Sequence, residues 1–350
     1  MNTNIKKYRG LVQTALMGAA MLCVSVQAQA YSYRTCDGNA IKWNSNWTNM
    51  YISTTSFPAG STWDSRLQNA MWHWNNVKGS SFNFYVGRDT DGTHSSGNGV
   101  NEVYMTSSIS GALAVTYTTY DCYWLFGYVY GIKETDIGFN SNYSWSTSTY
   151  SYSNPTGSPY NFEGVALHEL GHALGLLHED RWMATMNSYY PNSGPYGYYK
   201  EWDPFGDDRL GERVIYSDGT TETDLAGSAL KRTGTGTSGL VSSPTSAAAG
   251  SSVTIEYTFS NLSTASKTFD NGFYLSTNDF ISTGDTLLGS NFGASAGAGG
   301  TGTFSRTLTI PSGTAPGTYY LGFLVDKNSA HSESNEGNNN QPMPRSITIY

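Results

Sequence analysis

Between residues 168 and 178 the chain reads His-Glu-Leu-Gly-His-Ala-Leu-Gly-Leu-Leu-His, and this run restricts the fold more than any other. His168 and His172 stand four apart, so a helix projects both imidazoles from one face. That spacing suits two nitrogen ligands on one tetrahedral zinc. Glu169 adjoins the first of them, where a carboxylate can activate water at a metal and take its proton. Gly175 is placed to end the helix in a left-handed conformation and turn the chain back. His178 then arrives as the third ligand and leaves a fourth position open, the mark of a catalytic rather than a structural zinc. Three of the six His in the chain fall in this stretch, which argues against chance.

The segment from Val165 to His178 resembles the metzincin metallopeptidases, and the short route from His178 to Met186, in Ala184-Thr185-Met186-Asn187, resembles their matrixin-like branch. The resemblance implies a Met-turn at Met186, packed below the zinc and without a chemical role. It extends over about residues 40–217. Lys42-Trp43 and Met50-Tyr51-Ile52 resemble the opening strand. Trp63, Leu67, Ala70, Met71 and Trp74 repeat at helical spacing behind a Ser61 or Thr62 cap and resemble the first helix. Leu113-Ala114-Val115-Thr116-Tyr117 resembles the edge strand that pairs with bound peptide, which makes Leu113, Ala114 and Val115 substrate-binding candidates. Thr135 to Asn140 resembles the neighbouring strand, and Asp207 to Tyr216 the closing helix.

The departures are informative. Animal-type matrixins hold a second, structural zinc through His residues, and Val115 and Ile137 stand where such His would be expected, so one catalytic zinc is expected here. Calcium is the other candidate ion, from oxygen-rich positions among Asp89, Asp91, Asp121, Glu134 and Asp136, with no spacing that selects the ligands. His94 reads as a solvated loop residue and His73 as part of the first helix.

Residues 1–30 have a basic start (Lys6, Lys7, Arg9), an apolar stretch and Ala28-Gln29-Ala30, the pattern of a secretory signal peptide. The expected destination is extracellular, or periplasmic in a Gram-negative host. No other apolar run is long enough to span a bilayer. Removing three of the 19 basic residues leaves 16 against 27 acidic, a charge of about −11. Such a surface argues against nucleic acid as partner. Loss of Cys23 leaves Cys36 and Cys122, which in an oxidising compartment read as a disulfide. The alternative is Cys36 as a latency thiol capping the zinc. Only six residues separate it from Trp43, and its surroundings depart from the matrixin pro-segment motif.

From Ser217 to about Ser238 the chain turns to Gly, Thr and Ser, a linker with a short docked segment around Leu225 to Leu230. Beyond it, Val253, Ile255, Tyr257 and Phe259 alternate as the buried face of a strand, and 317–326 and 347–350 read as further strands. Phe273 to Thr277, Ser282 to Asp285 and Glu333 to Asn339 resemble the bacterial cell-adhesion-related domain CARDB, which implies an accessory role in attachment or substrate engagement. The expected organisation is a signal peptide over 1–30, a peptidase domain over 31–217, a linker over 218–238 and a CARDB-like domain over 239–350. The expected fold is an α+β metzincin domain, a twisted mixed sheet with active-site and flanking helices, followed by an all-β immunoglobulin-like sandwich.

Tyrosine is abundant, with 26 in the chain, and the run from Tyr189 to Trp202 falls where the resemblance places the wall of the S1′ pocket. Tyr189 and Tyr190 are therefore candidates for an aromatic pocket that takes an apolar side chain. The expected function is a secreted zinc endopeptidase with Glu169 as general base, acting on protein or peptide, its activity fading in acid as the imidazoles protonate. Two alternatives stand beside it. One is a non-catalytic protein adhering to a surface or glycan, with a zinc-stabilised scaffold; the other is a zinc hydrolase of non-protein amides. Glu169 speaks against the first, since a structural site has no use for a carboxylate beside an open position. The C-terminal domain is expected to touch a cell surface, matrix or substrate.

Overall fold

The computed structural model describes residues 8–15, 31–89, 96–148, 158–180, 184–188, 204, 206–228 and 241–350. They form two compact units, divided between Gly219 and Thr220.

The first unit is mixed α/β. Its long strands are β1 (Tyr8–Ala15), β2 (Trp47–Ser53), β3 (Asn83–Asp89), β4 (Glu102–Thr106), β5 (Ala114–Trp124) and β6 (Tyr128–Asn140). They lie in one sheet in the order β1-β5-β6-β4-β2-β3. β3, β2, β4 and β6 run parallel, while β5 is antiparallel to β6 and β1 antiparallel to β5. Parallel neighbours need a crossover, and α1 (Thr62–Asn75) supplies it between β2 and β3. Ser61 caps this helix by accepting from the Asp64 N–H, and Leu67, Ala70, Met71 and Trp74 are buried on its inner face.

Lys42-Trp43, expected in the opening strand, lies outside it; the strand begins at Trp47. Both residues serve as anchors instead. The Trp43 indole donates to the Ala173 carbonyl at 2.9 Å, and the Lys42 carbonyl accepts from the Ile132 N–H. β5 is also not an outer edge here, because β1 covers its free side in the register Thr14↔Thr116 and Ala15↔Val115. Cys36 and Cys122 form a disulfide with a Cα–Cα distance of 5.7 Å, tying the segment before β2 to β5. Cys36 is therefore no free latency thiol.

The second unit is all β. Its strands are β7 (Leu225–Ser228), β8 (Ser246–Ala247), β9 (Ser252–Asn261), β10 (Lys267–Ser276), β11 (Thr286–Ala296), β12 (Thr301–Thr309), β13 (Gly317–Leu324) and β14 (Asn340–Ile349). They make a three-stranded sheet, β7-β9-β12, and a five-stranded sheet, β8-β14-β13-β10-β11. The inner face of β9 carries Val253, Ile255, Tyr257 and Phe259, all buried. The Tyr257 ring meets Phe273 of β10 and Phe323 of β13 at 4.8 and 5.5 Å, which holds the sheets face to face. The docked segment expected within the linker is β7, paired with β9 from Leu225↔Asn261 to Ser228↔Thr258.

Candidate metal centre

The helix α2 (Phe162–Leu174) carries the first two histidines and is buried along nearly its whole length. Asn161 caps its start by accepting from the Gly164 N–H at 3.0 Å. Gly175, at φ 117°, ends it, and the Leu176 N–H returns to the Gly171 carbonyl at 2.9 Å. The carbonyls of the last turn need partners, and side chains provide them at Ala173 and Leu174, while a further indole reaches a mid-helix carbonyl. The Trp74 indole donates to Leu167 and the Tyr216 hydroxyl to Leu174, beside the Trp43 bond already noted.

This turn brings His178 back to the helix. The Nε2 atoms of His172 and His178 stand 3.1 Å apart, and those of His178 and His168 3.3 Å apart. Tetrahedral ligands at about 2.0–2.1 Å from a common centre stand roughly 3.3 Å from one another, so the spacing fits one zinc. The far side of each helical imidazole is fixed by main chain: His168 Nδ1 lies 2.6 Å from the Thr185 carbonyl and His172 Nδ1 2.9 Å from that of Leu176. Each Nδ1 is thus the donor, which leaves the Nε2 lone pair for a ligand role. Burial, with His178 alongside, pushes His168 down to about 3, and burial also lowers His172 and His178. Neutral imidazole is therefore kept further into acid than an exposed His would allow. Among the described residues this is the one group of three or more His, Cys, Asp or Glu side chains whose ligand atoms converge within 4.8 Å.

Glu169 is fully buried beside the triad. Its Oε2 accepts from the Thr116 hydroxyl at 2.6 Å, while Oε1 has no hydrogen-bond partner. Burial raises this carboxyl to about 8, opposed by the Thr116 bond. An orphaned carboxylate oxygen next to three converging nitrogens is a donor set for a cation and a water. It fits the zinc that the motif implies.

Met186 is buried under α2, and its turn is held from α3 (Gly206–Ile215). Asp208 accepts from the Thr185 and Met186 N–H groups at 2.6 and 3.2 Å, and the Glu179 N–H donates to the Met186 carbonyl. Gly171 is required for this contact, since a Cβ there would lie 2.2 Å from Met186 Sδ and 3.0 Å from Trp74 Cζ2. Gly171→Ala is expected to cost about 1–3 kcal/mol, the range for overpacking a core, and to weaken zinc retention. Thermal unfolding together with zinc titration checks both effects.

Ala114 and Val115 open β5, next to Thr116 and hence to Glu169. Tyr189, Tyr190, Asp91 and His94 lie outside the described residues. Of the remaining calcium candidates, Glu134 and Asp136 lie together, and burial, with the Glu134 and Glu102 carboxylates alongside, raises Asp136 to about 8. Asp121 pairs with Lys133 at 3.3 Å, Glu134 accepts from the Gly97 and Gly99 N–H groups, and Asp136 from the Glu102 N–H. Thr116, Gly171 and Asp208 were not singled out by sequence reasoning. Gly171 alone carries a local signal, as the glycine between the two helical histidines.

The three imidazoles together make a group that could hold one metal ion. Residues 111–216 match the family model described as Matrixin and residues 239–342 that described as CARDB, so the chain carries a matrixin domain followed by a CARDB domain. No curated relative matches the chain. Among solved structures, it is similar to the CARDB domain of the PF1109 protein of Pyrococcus furiosus, in complex with di-metal ions. That match has 17% identity over 37% of this chain and 90% of that one, with a TM-score of 0.27. It is also similar to a beta-glucosidase from Listeria innocua in complex with isofagomine, at 17% identity over 46% of this chain and 18% of that one, with a TM-score of 0.24.

Proposed function

We propose that the chain is a secreted zinc-dependent endopeptidase. The observation that carries this reading is the convergence of three imidazole nitrogens beside the orphaned Oε1 of Glu169. His168, His172 and His178 would hold the metal and Met186 would pack below it. A bound zinc supplies Lewis-acid polarisation of water and of the scissile carbonyl.

The chain's own residues do the rest. Glu169 Oε1 accepts the proton of the attacking water and delivers it to the leaving amine. Thr116 fixes the other carboxylate oxygen, so the base keeps one orientation. With β1 removed, the main chain of β5 from Ala114 onward would offer a free edge to an extended peptide. Support for that comes from β1, an antiparallel strand added along β5 over eight residue pairs. Removal of residues 1–30 as a signal peptide would free the same groups for substrate. Tyr189 and Tyr190 would line an S1′ pocket for an apolar side chain. The domain over 239–350 would be accessory, engaging a cell surface, matrix or substrate.

Hydrolysis of denatured casein and gelatin by the mature chain tests the reading. Cleavage is expected, abolished by a zinc chelator and restored by zinc. Cleavage that ignores the chelator overturns the zinc mechanism, and no cleavage with one zinc bound per chain turns the reading to the non-catalytic alternative.

A further inference from the structure

Arg34 carries a charge that the fold positions but does not pair. Its segment is strapped to the chain between α2 and His178, where Tyr33 bridges Leu176 and the Leu177 N–H donates to the Ser32 carbonyl. Two residues on, Cys36 is bonded to Cys122, which sets Arg34 level with Tyr120 of β5. Its guanidinium lies over the Tyr120 ring, 5.0 Å from the centroid, and Nη1 donates to the Tyr120 hydroxyl at 3.3 Å. Among the described residues no carboxylate pairs with it. Nε and Nη2 are left over, a pair of donors that suits a carboxylate bound through two parallel hydrogen bonds. The ring beneath holds the guanidinium in one place, so little freedom is lost when a ligand binds.

Arg34 lines one cleft with Thr118, Tyr120, His172 and Leu177. His172 belongs to the histidine triad, so the cleft adjoins the metal centre. The register of β5 fixes which part of a peptide would meet it. β1 runs antiparallel to β5, with Thr14 opposite Thr116, Val12 opposite Thr118 and Gly10 opposite Tyr120. A peptide taking this edge in the same direction places the residues before its scissile bond progressively nearer Tyr120. Residues opposed across paired strands project to the same face. Thr116, Thr118 and Tyr120 alternate on the face of β5 that Thr116 turns to Glu169. The peptide residue opposite Thr118 therefore projects into the Arg34 cleft, two positions ahead of the residue beside Glu169. Thr118 is short and leaves that space open, whereas the Tyr120 ring fills its own.

We propose that Arg34 determines specificity by selecting Asp or Glu two or three residues before the scissile bond. The inference rests on the peptidase reading above and names a substrate class for it. A carboxylate at that position meets the Nε and Nη2 donors beside Thr118, and a Lys or Arg there meets a like charge. The selection is local, since the chain as a whole is acidic and its general field would hold acidic peptides off.

The test walks a single Glu through an otherwise uncharged peptide with one cleavable bond, each position beside its Gln twin. The mature zinc-loaded chain is expected to favour Glu over Gln by about tenfold in kcat/KM, the size of one charge-assisted contact, at the second or third residue before the bond. Near-equal rates are expected elsewhere, and the excess should shrink as salt is raised. Arg34→Gln is expected to bring the ratio to about one, and Arg34→Glu to turn the preference to Lys. A merely structural role for Arg34 would weaken both twins together and leave the ratio intact. Dissociation constants of the same peptides on zinc-loaded Glu169→Ala read the cleft without turnover and are expected to show the same ratio. No cleavage with that ratio kept in binding removes the peptidase reading and leaves the Arg34 cleft standing. Equal binding of the Glu and Gln twins at every position overturns the proposal whether or not the chain cleaves, as does a preference that survives in Arg34→Gln.

Discussion

Glu169→Ala is expected to lower kcat/KM on a casein-derived peptide by 10²–10⁴, the range for loss of a positioned general base, with zinc content unchanged at one per chain. The separation of the two effects follows from the site. The triad is oriented by main-chain carbonyls at Thr185 and Leu176 and owes nothing to the Glu169 carboxylate. Glu169 in turn is held by Thr116 at Oε2, and its Oε1 has no hydrogen-bond partner. Thr116→Val is expected to fall between wild type and Glu169→Ala, because the base survives but loses its fixed orientation. Stability in the chelated protein gives a control with a definite sign. The folded carboxyl is raised to about 8, well above its unfolded value of about 4.3. The unfolded state therefore releases a proton that the folded state keeps, and the contribution of Glu169 falls as pH rises through that window. Glu169→Gln should accordingly gain on the wild type in unfolding temperature from pH 5 to pH 8. Retention of more than a tenth of wild-type activity by Glu169→Ala, measured beside zinc content, would remove Glu169 from the role of base.

The parts legible in the sequence are those in which local chemistry and tertiary structure agree. The apolar repeat from Trp63 to Trp74 with its Ser61 cap became α1, and the alternation from Val253 to Phe259 became a buried strand face. The histidine run gave the helix, its glycine terminus and the return of His178, because each step is a property of neighbours in the chain. What was not legible depends on partners remote in sequence. Thr116 matters because β5 passes beside α2, 53 residues away. Asp208 matters because α3 reaches the Met186 turn across 22 residues. Lys42-Trp43 looks like a strand opening but bonds to Ala173 and Ile132, and those contacts override its local preference. β7 was legible only as a docked segment around Leu225 to Leu230, not as a strand. Four residues of Leu-Ala-Gly-Ser carry little strand pattern, and it is pairing with β9 that makes them a strand.

Removing the Cys36–Cys122 disulfide should have the largest effect on stability of any change in the first unit that leaves the centre intact. The bridge closes 86 residues of chain, and a loop of that size corresponds to about 4–5 kcal/mol of unfolded-state entropy in the chain-entropy model. Measured effects of native disulfides run to about 2–5 kcal/mol, a large share of a domain's net stability. The loop contains α1 and β2 to β4, so its closure restrains most of the sheet that supports α2. Cys36→Ser with Cys122→Ser is expected to lower the unfolding temperature by ten degrees or more. Below that temperature the Nε2 spacing and zinc content should stay as they are, since the helical imidazoles are oriented by the Thr185 and Leu176 carbonyls. A latency thiol predicts the reverse pattern, in which Cys36→Ser alone raises activity and leaves stability unchanged. Denaturant unfolding of the double variant, read beside its specific activity on casein, separates the two. A midpoint equal to the wild type would mean that the bridge restrains nothing the fold does not already hold.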